Sequence, residues 1–277
     1  MRKPEPLPAH LPLPGEGQPD EYASPLAPGS NLPRLLLLFL LGVAAAEWVT
    51  AYLHPQAGLL IHGALLLFVF LHATFRLQGP AQKLMITLGL APLIRLVSLS
   101  MPLAGFQLTY WYALIGFPLL VSAYLAWRLT GFRREDLGLA LGSQWPLQIP
   151  VALSGLGLGY LEYQILEPQP LVQGFSLAQA WLPAAVLLVF SGFLEEFIFR
   201  GLMQAAAAPV LKRLGVVYVS LLFAALHIGY MSALDLAFVF LVGLFFALVV
   251  ARTRSLVGVS LAHALTNIAL FLILPFL

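Results

Sequence analysis

The sequence predicts an all-α fold: a polytopic membrane helical bundle of about 8–9 transmembrane helices behind a disordered Pro-rich N-terminal tail. Three observations predict it. Of 277 residues, 60% are hydrophobic and only 9% are Asp, Glu, Lys or Arg, against about 25% charged in soluble domains. Several apolar runs reach the roughly 20 residues that cross a bilayer as a helix. The basic residues gather in alternate connecting segments, the pattern a chain acquires when it crosses a membrane repeatedly.

The tail, residues 1–33, holds nine of the 21 prolines. Proline denies the backbone helix and ladder hydrogen bonds, so no regular element is expected there. No apolar stretch follows Arg2 and Lys3 directly, so the tail is not a signal peptide. Residues 34–277 form the bundle. Hydrophobic runs between polar punctuation give nine helices near 34–53, 58–76, 84–103, 108–127, 146–166, 178–207, 213–230, 232–251 and 255–275. With the tail inside, one face receives Arg2, Lys3 and Arg34, then Arg76 and Lys83, then Arg128, Arg133 and Arg134, then Lys212 and Arg213, and finally Arg252 and Arg254. That is twelve of the 14 basic residues, and the opposite connections carry none. The expected protein is therefore an integral multi-pass membrane protein of the bacterial inner membrane type, with its N-terminus cytoplasmic and the lipid bilayer as its first partner. No basic patch is interleaved with aromatics, so no nucleic acid partner is expected. The absence of cysteine removes disulfides, thiolate metal ligands and a cysteine nucleophile.

A charge inside a bilayer costs several kcal/mol unless paired or hydrated, and intramembrane ionisable groups mark function. They are Glu47 in the first span, Arg95 in the third, Glu195, Glu196 and Arg200 in the sixth, His227 late in the seventh, and His263 early in the ninth, one turn before Asn267. Glu196 and Arg200, four apart, share a helix face and pair along it. Glu195 points about 100° away on a helix of 3.6 residues per turn and has no local partner. The two intramembrane histidines are its candidate company. A carboxylate, two imidazoles and an amide on three helices supply what peptide hydrolysis needs, namely a base for water, donors for an oxyanion, and a metal cradle. Glu47 and Arg95 are expected to pair structurally across the first and third spans. His54, His62 and His72 read as interfacial or packing residues.

In order on three late helices stand "EEFIFR" (Glu195 to Arg200), "FAALH" (Phe223 to His227) and "HALTN" (His263 to Asn267). This series resembles the CAAX-processing and bacteriocin-immunity (CPBP) family of intramembrane endopeptidases, which includes the type II CAAX prenyl endopeptidases. "EDLGL" (Glu135 to Leu139) is similar to the family's lead-in. The resemblance covers about residues 180–272 as a catalytic core. It implies a helical bundle with a polar cavity opening toward the cytosolic side, and cleavage of a membrane-associated peptide or protein substrate. It further implies Glu195 as the base that activates water, His227 as its partner, and His263 with Asn267 at the oxyanion. Glu196, Arg200 and Phe223 would support the site. Members are described both as metalloproteases and as glutamate-dependent enzymes. Glu195, His227 and His263 would suit Zn²⁺ with an open fourth position, whereas Asn267 suits hydrogen bonding, so both versions stay open.

Other classes have less support. HExxH is absent, and the second half has only one aspartate, Asp235, so paired-aspartate chemistry lacks its residues. A Ser–His dyad from Ser191 or Ser260 with His263 competes with the packing use of small serines. A non-catalytic membrane immunity or partner-binding protein of the same family is the alternative function. A transporter would show matched halves with interrupted helices, and none are visible.

Overall fold

The computed structural model describes residues 31–101, 105–142, 144–174 and 176–277. The disordered state expected of residues 1–33 thus falls almost wholly outside the described residues. Among those described, the chain forms nine helical rods: α1 Leu32–Tyr52, α2 Pro55–Phe75, α3 Gly79–Ser100, α4 Leu108–Thr130, α5 Trp145–Leu166, α6 Leu177–Leu211, α7 Leu214–Tyr230, α8 Ala233–Thr253 and α9 Val257–Phe276. Each corresponds to one of the nine apolar runs. Seven are long and apolar enough to cross a membrane. The exceptions have clear causes. α5 carries Gln148, Glu162 and Gln164, and α7 is short.

Local sequence sets the rod ends. Pro55, Pro80 and Pro146 sit in the first turn of α2, α3 and α5, where their missing N–H costs nothing. Ser176 and Ser232 cap α6 and α8 by accepting the N–H groups of Gln179 and Asp235. α4 stops at Gly131, which takes the left-handed conformation at φ 67°.

The rods pack through small residues, as helices must where lipid offers no hydrophobic drive. α5 and α9 run parallel in close contact. A side-chain carbon at Gly159 would stand 2.6 Å from the Thr266 carbonyl oxygen, and one at Gly155 would collide with the Ala262 carbonyl. Thr266 Oγ1 donates to the Gly155 carbonyl at 3.1 Å. α6 is not a uniform α-helix: Leu187–Phe193 and Phe197–Met203 are π-helical and flank a single α-turn at Leu194–Glu196. Such widened turns recur at functional sites because they re-aim side chains.

The connections α2–α3, α4–α5, α6–α7 and α8–α9 meet at one end. There the Lys83 ammonium stands 5.0 Å from the Phe132 ring centre. Gly79 and Lys83 share a hollow with Phe132, Ala206 and Pro209, and Leu256 N–H donates to the Gly138 carbonyl at 2.9 Å. At the outer edge of this end, Arg133 binds Asp136 through its backbone N–H and its guanidinium, which holds that carboxyl below its ordinary range. Arg34, Arg76, Lys83, Arg128, Arg133, Arg134, Lys212, Arg213, Arg252 and Arg254 all belong to this basic end. Of the remaining described basic residues, Arg95 and Arg200 are internal.

Candidate active site

Three rods build the site. α6 contributes Ser191, Glu195, Glu196 and Arg200, α7 contributes Phe223 and His227, and α9 contributes His263 and Asn267. Glu196 and Arg200 pair as their spacing predicted, with Nη1 to Oε1 at 3.0 Å and both side chains fully shielded. The other end of the guanidinium, Nη2, donates to the Gly243 carbonyl of α8 at 3.1 Å. The Phe223 ring lies beneath it, 4.3 Å from ring centre to guanidinium carbon, a cation–π contact. Phe223 therefore supports the site through Arg200.

His263 joins the two glutamates. Its Nδ1 lies 2.8 Å from Glu196 Oε1, and its Nε2 lies 3.9 Å from Glu195 Oε2 and 3.5 Å from Ser191 Oγ. Asn267 Nδ2 donates to Ser191 Oγ at 2.5 Å. A carboxylate can only accept, so the hydrogen of the short contact sits on His263 Nδ1, and Nε2 faces the cavity. His227 is fixed by the same logic. Its Nδ1 donates to the Phe223 carbonyl at 2.9 Å, which leaves Nε2 as the ring's open nitrogen. Glu195 keeps 30% of its side chain exposed, in contrast to the sealed Glu196.

Glu195, His227, His263, Asn267 and Ser191 all line one cavity of about 100 Å³, enough for a few waters. A second, more apolar chamber of about 400 Å³ lies between α3, α4, α6 and α7, with Glu195 and His227 on its wall as well. The four expected catalytic side chains are thus brought together. Three of them, Glu195, His227 and His263, are the set that would suit zinc, and they line the cavity without forming a close cluster. Among the described residues no group of three or more His, Cys, Asp or Glu side chains is gathered closely enough to hold a metal ion. His263 and His227 each keep Nε2 open, but His227 forms no hydrogen bond or ion pair with Glu195 among the described residues. The donors therefore do not fit a three-ligand cradle, and no step below passes through a metal.

Sequence reasoning left several site residues unassigned. Ser191 read as a packing serine, yet it touches both His263 and Asn267. Glu162 of α5 and the rings of Tyr112 and Tyr230 line the same cavity. A signal for Glu162 existed, since it is a carboxylate inside a run already read as a span. The two tyrosines gave none. Asp235 is fully buried, with neither carboxylate oxygen hydrogen-bonded among the described residues. It lies on the α8 face of the cavity-lining Phe238, Val239 and Val242, one turn further from the basic end.

The expected pair of Glu47 and Arg95 is present, Nε to Oε1 at 2.5 Å. His62 needs correction as a mere packing residue. It is fully buried, with Nε2 3.3 Å from Glu47 Oε1.

No curated protein and no solved structure matches the chain. Residues 177–269, the stretch from the start of α6 to the last third of α9, match the model of the type II CAAX prenyl endopeptidase Rce1-like family, in agreement with the CPBP resemblance carried by the three motifs.

Proposed function

We propose that this integral membrane protein is an intramembrane endopeptidase of the CAAX-protease type, which hydrolyses a peptide bond of a membrane-associated substrate with activated water. The reading is supported above all by one observation: a partly exposed carboxylate, Glu195, faces the open nitrogen of His263 on a cavity of water size that also contains His227 and Asn267. In this mechanism the Glu195 carboxylate removes a proton as a water oxygen attacks the substrate carbonyl carbon, with the open nitrogen of His227 as the second acceptor. Negative charge moves to the carbonyl oxygen. Asn267 Nδ2–H, together with Nε2–H of His263 in its imidazolium form, stabilises that charge. Glu195 then returns the proton to the amide nitrogen, the C–N bond breaks, and an acid and an amine leave. Glu196 and Arg200 keep the His263 ring in place and take no proton.

The test is Glu195→Gln in purified protein, assayed on a library of apolar peptides in detergent or liposomes. The expected result is loss of cleavage with an unchanged Tm. Cleavage at the parental rate overturns the assignment. An unchanged biological effect in the same variant returns the alternative of an immunity or partner-binding protein.

A further inference from the structure

The mechanism above leaves one carboxylate of the cavity without a task. Glu162 of α5 lines the same space as Glu195, His263 and Asn267, and its side chain forms no hydrogen bond or ion pair among the described residues. Its placement follows from the helix period. Gly155 and Gly159 face α9 so closely that a side-chain carbon on either would meet an α9 carbonyl oxygen. Glu162 stands seven residues after the first glycine and three after the second, so it continues the same stripe. The seam that turns the glycines into α9 thus turns Glu162 into the bundle rather than toward lipid. There it is partly buried, and Thr266 and Leu270 of α9 line the cavity with it.

A carboxylate at such a position is costly unless something cationic meets it. The cavity lining holds no lysine or arginine among the described residues. The two internal guanidinium groups are committed, Arg200 to Glu196 and Arg95 to Glu47. His263 also acts on Glu162, but its Nδ1 is bound to Glu196. More negative charge stands nearby, since Glu195 shares the cavity and the charge of the buried Asp235 reaches Glu162 from α8. Two aromatic rings complete the surroundings. Tyr112 and Tyr230 line the cavity within electrostatic reach of Glu162, and Tyr230 is half exposed, which marks an open side.

A carboxylate flanked by electron-rich rings is the chemistry that receives an ammonium or guanidinium group, through charge and through the ring faces. We infer that Glu162, with Tyr112 and Tyr230, selects a substrate that carries a lysine or arginine side chain beside the bond to be cut. This rests on the endopeptidase reading and adds a specificity to it. The charged head enters the cavity, and the apolar stem lies along the tyrosine rings at the opening. Glu195 stays available to take the proton from water. A neutral residue of the same length leaves Glu162 without a partner, and an acidic one meets two carboxylates and is rejected.

The test reads binding, so it does not depend on cleavage. The chain carrying Glu195→Gln keeps Glu162 as the sole carboxylate on the cavity lining among the described residues. In detergent it is titrated into fluorescent peptides of leucine and alanine that carry one lysine, one norleucine or one glutamate, moved through each position in turn. Anisotropy gives the Kd. The expected result is a position at which the lysine peptide binds about tenfold more tightly than the norleucine peptide, with glutamate weakest. Adding Glu162→Gln removes the difference between lysine and norleucine, and adding Glu162→Lys makes the glutamate peptide the preferred one. A purely structural Glu162 would weaken all three peptides together and leave their order unchanged. Glu162→Ser replaces Glu162→Gln should that variant fail to fold. Equal binding of lysine and norleucine peptides at every position, a lysine preference that survives Glu162→Gln, or no binding of any peptide overturns the inference. Cleavage of the same peptides by the parental chain is scored separately, and a lysine preference in binding without cleavage counts against the endopeptidase reading alone.

Discussion

One carboxylate oxygen, Glu196 Oε1, receives both His263 Nδ1 at 2.8 Å and Arg200 Nη1 at 3.0 Å. The second oxygen, Oε2, is buried with no hydrogen-bond partner among the described residues. A single atom thus connects the ring that faces the cavity to a guanidinium anchored on α8 and on Phe223. Glu196 acts through His263, so it is a positioning residue. Its replacement by an amide leaves the fully buried Arg200 without its hydrogen-bonded counter-charge, and breaking one side of a buried pair costs about 3–5 kcal/mol. Glu196→Gln is therefore expected to lower Tm strongly and to remove activity, and Glu196→Asp to recover part of both. Thermal unfolding in detergent beside peptide cleavage checks this. Full stability in Glu196→Gln would show that Arg200 finds other acceptors.

Ser191 separates two chemistries. Its Oγ lies 3.5 Å from His263 Nε2, while His263 Nδ1 rests on Glu196. That arrangement resembles a Ser–His–acid relay. However, the Ser191 oxygen already accepts the 2.5 Å bond from Asn267, and Glu195 stands beside it as an available base for water. With water as nucleophile, Ser191→Ala removes the two hydrogen bonds to His263 and Asn267, worth about 1 kcal/mol each, and lowers the rate by no more than about thirtyfold. A serine nucleophile predicts a loss on the order of a millionfold, as nucleophile removal gives elsewhere. Single-turnover kinetics of Ser191→Ala decides between them.

Much of this architecture was legible in the order of residues. The nine rods follow from apolar runs, and the two ion pairs Glu196–Arg200 and Glu47–Arg95 follow from the cost of charge in lipid. The placement of Glu195, His227, His263 and Asn267 around one space agrees with the three motifs. What stayed hidden depends on inter-helix geometry. His62 and Glu47 meet only because α1 and α2 pack closely, and periodicity within one helix cannot report such a contact. The π-turns on either side of Leu194–Glu196 likewise leave no mark in composition. Whether Glu195, His227 and His263 stand close enough to share an ion is likewise set by the spacing between helices, which residue types alone do not give.

The seam between α6 and α9 sets the distance from Glu195 to His263. A side-chain carbon at Gly192 would stand 2.7 Å from both the Ala264 side chain and the Ser260 carbonyl oxygen, closer than real contacts allow, and both neighbours belong to α9. The rods must separate to accept it. Overpacking of this size costs about 1–3 kcal/mol, and the displacement moves His263 away from both glutamates. Gly192→Val is expected to lose most activity with only a moderate fall in Tm. Unchanged activity would mean that the seam can open without disturbing the His263 contacts.

Metal independence is the expectation that the spacing of the donors supports. His263 and His227 keep Nε2 open, yet no group of three His, Cys, Asp or Glu side chains stands close enough to hold an ion among the described residues. Incubation of purified protein with a zinc chelator, followed by cleavage assay, is expected to leave the rate unchanged. A loss that added zinc restores would show that Glu195, His227 and His263 close together around an ion in solution.

The last prediction concerns helices outside the family-matched stretch. Arg95 of α3 donates Nε to Glu47 Oε1 at 2.5 Å and Nη2 to the Leu226 carbonyl, and Leu226 immediately precedes His227. His62 backs Glu47 from α2. Three N-terminal helices thus grip the end of α7 where its α-helix gives way to a 3₁₀ turn, and where the His227 ring is held by the Nδ1 bond to the Phe223 carbonyl. A lysine at position 95 keeps the charge but lacks the planar fork that reaches Glu47 and Leu226 at once. Loss of the backbone bond removes about 1.5–3 kcal/mol of charge-assisted hydrogen bonding. Arg95→Lys is expected to lower kcat by roughly ten- to a hundredfold through misplacement of His227, with KM little changed and most of the Tm retained. If Tm falls while activity per folded molecule stays at the parental level, the cluster serves only to hold the bundle together.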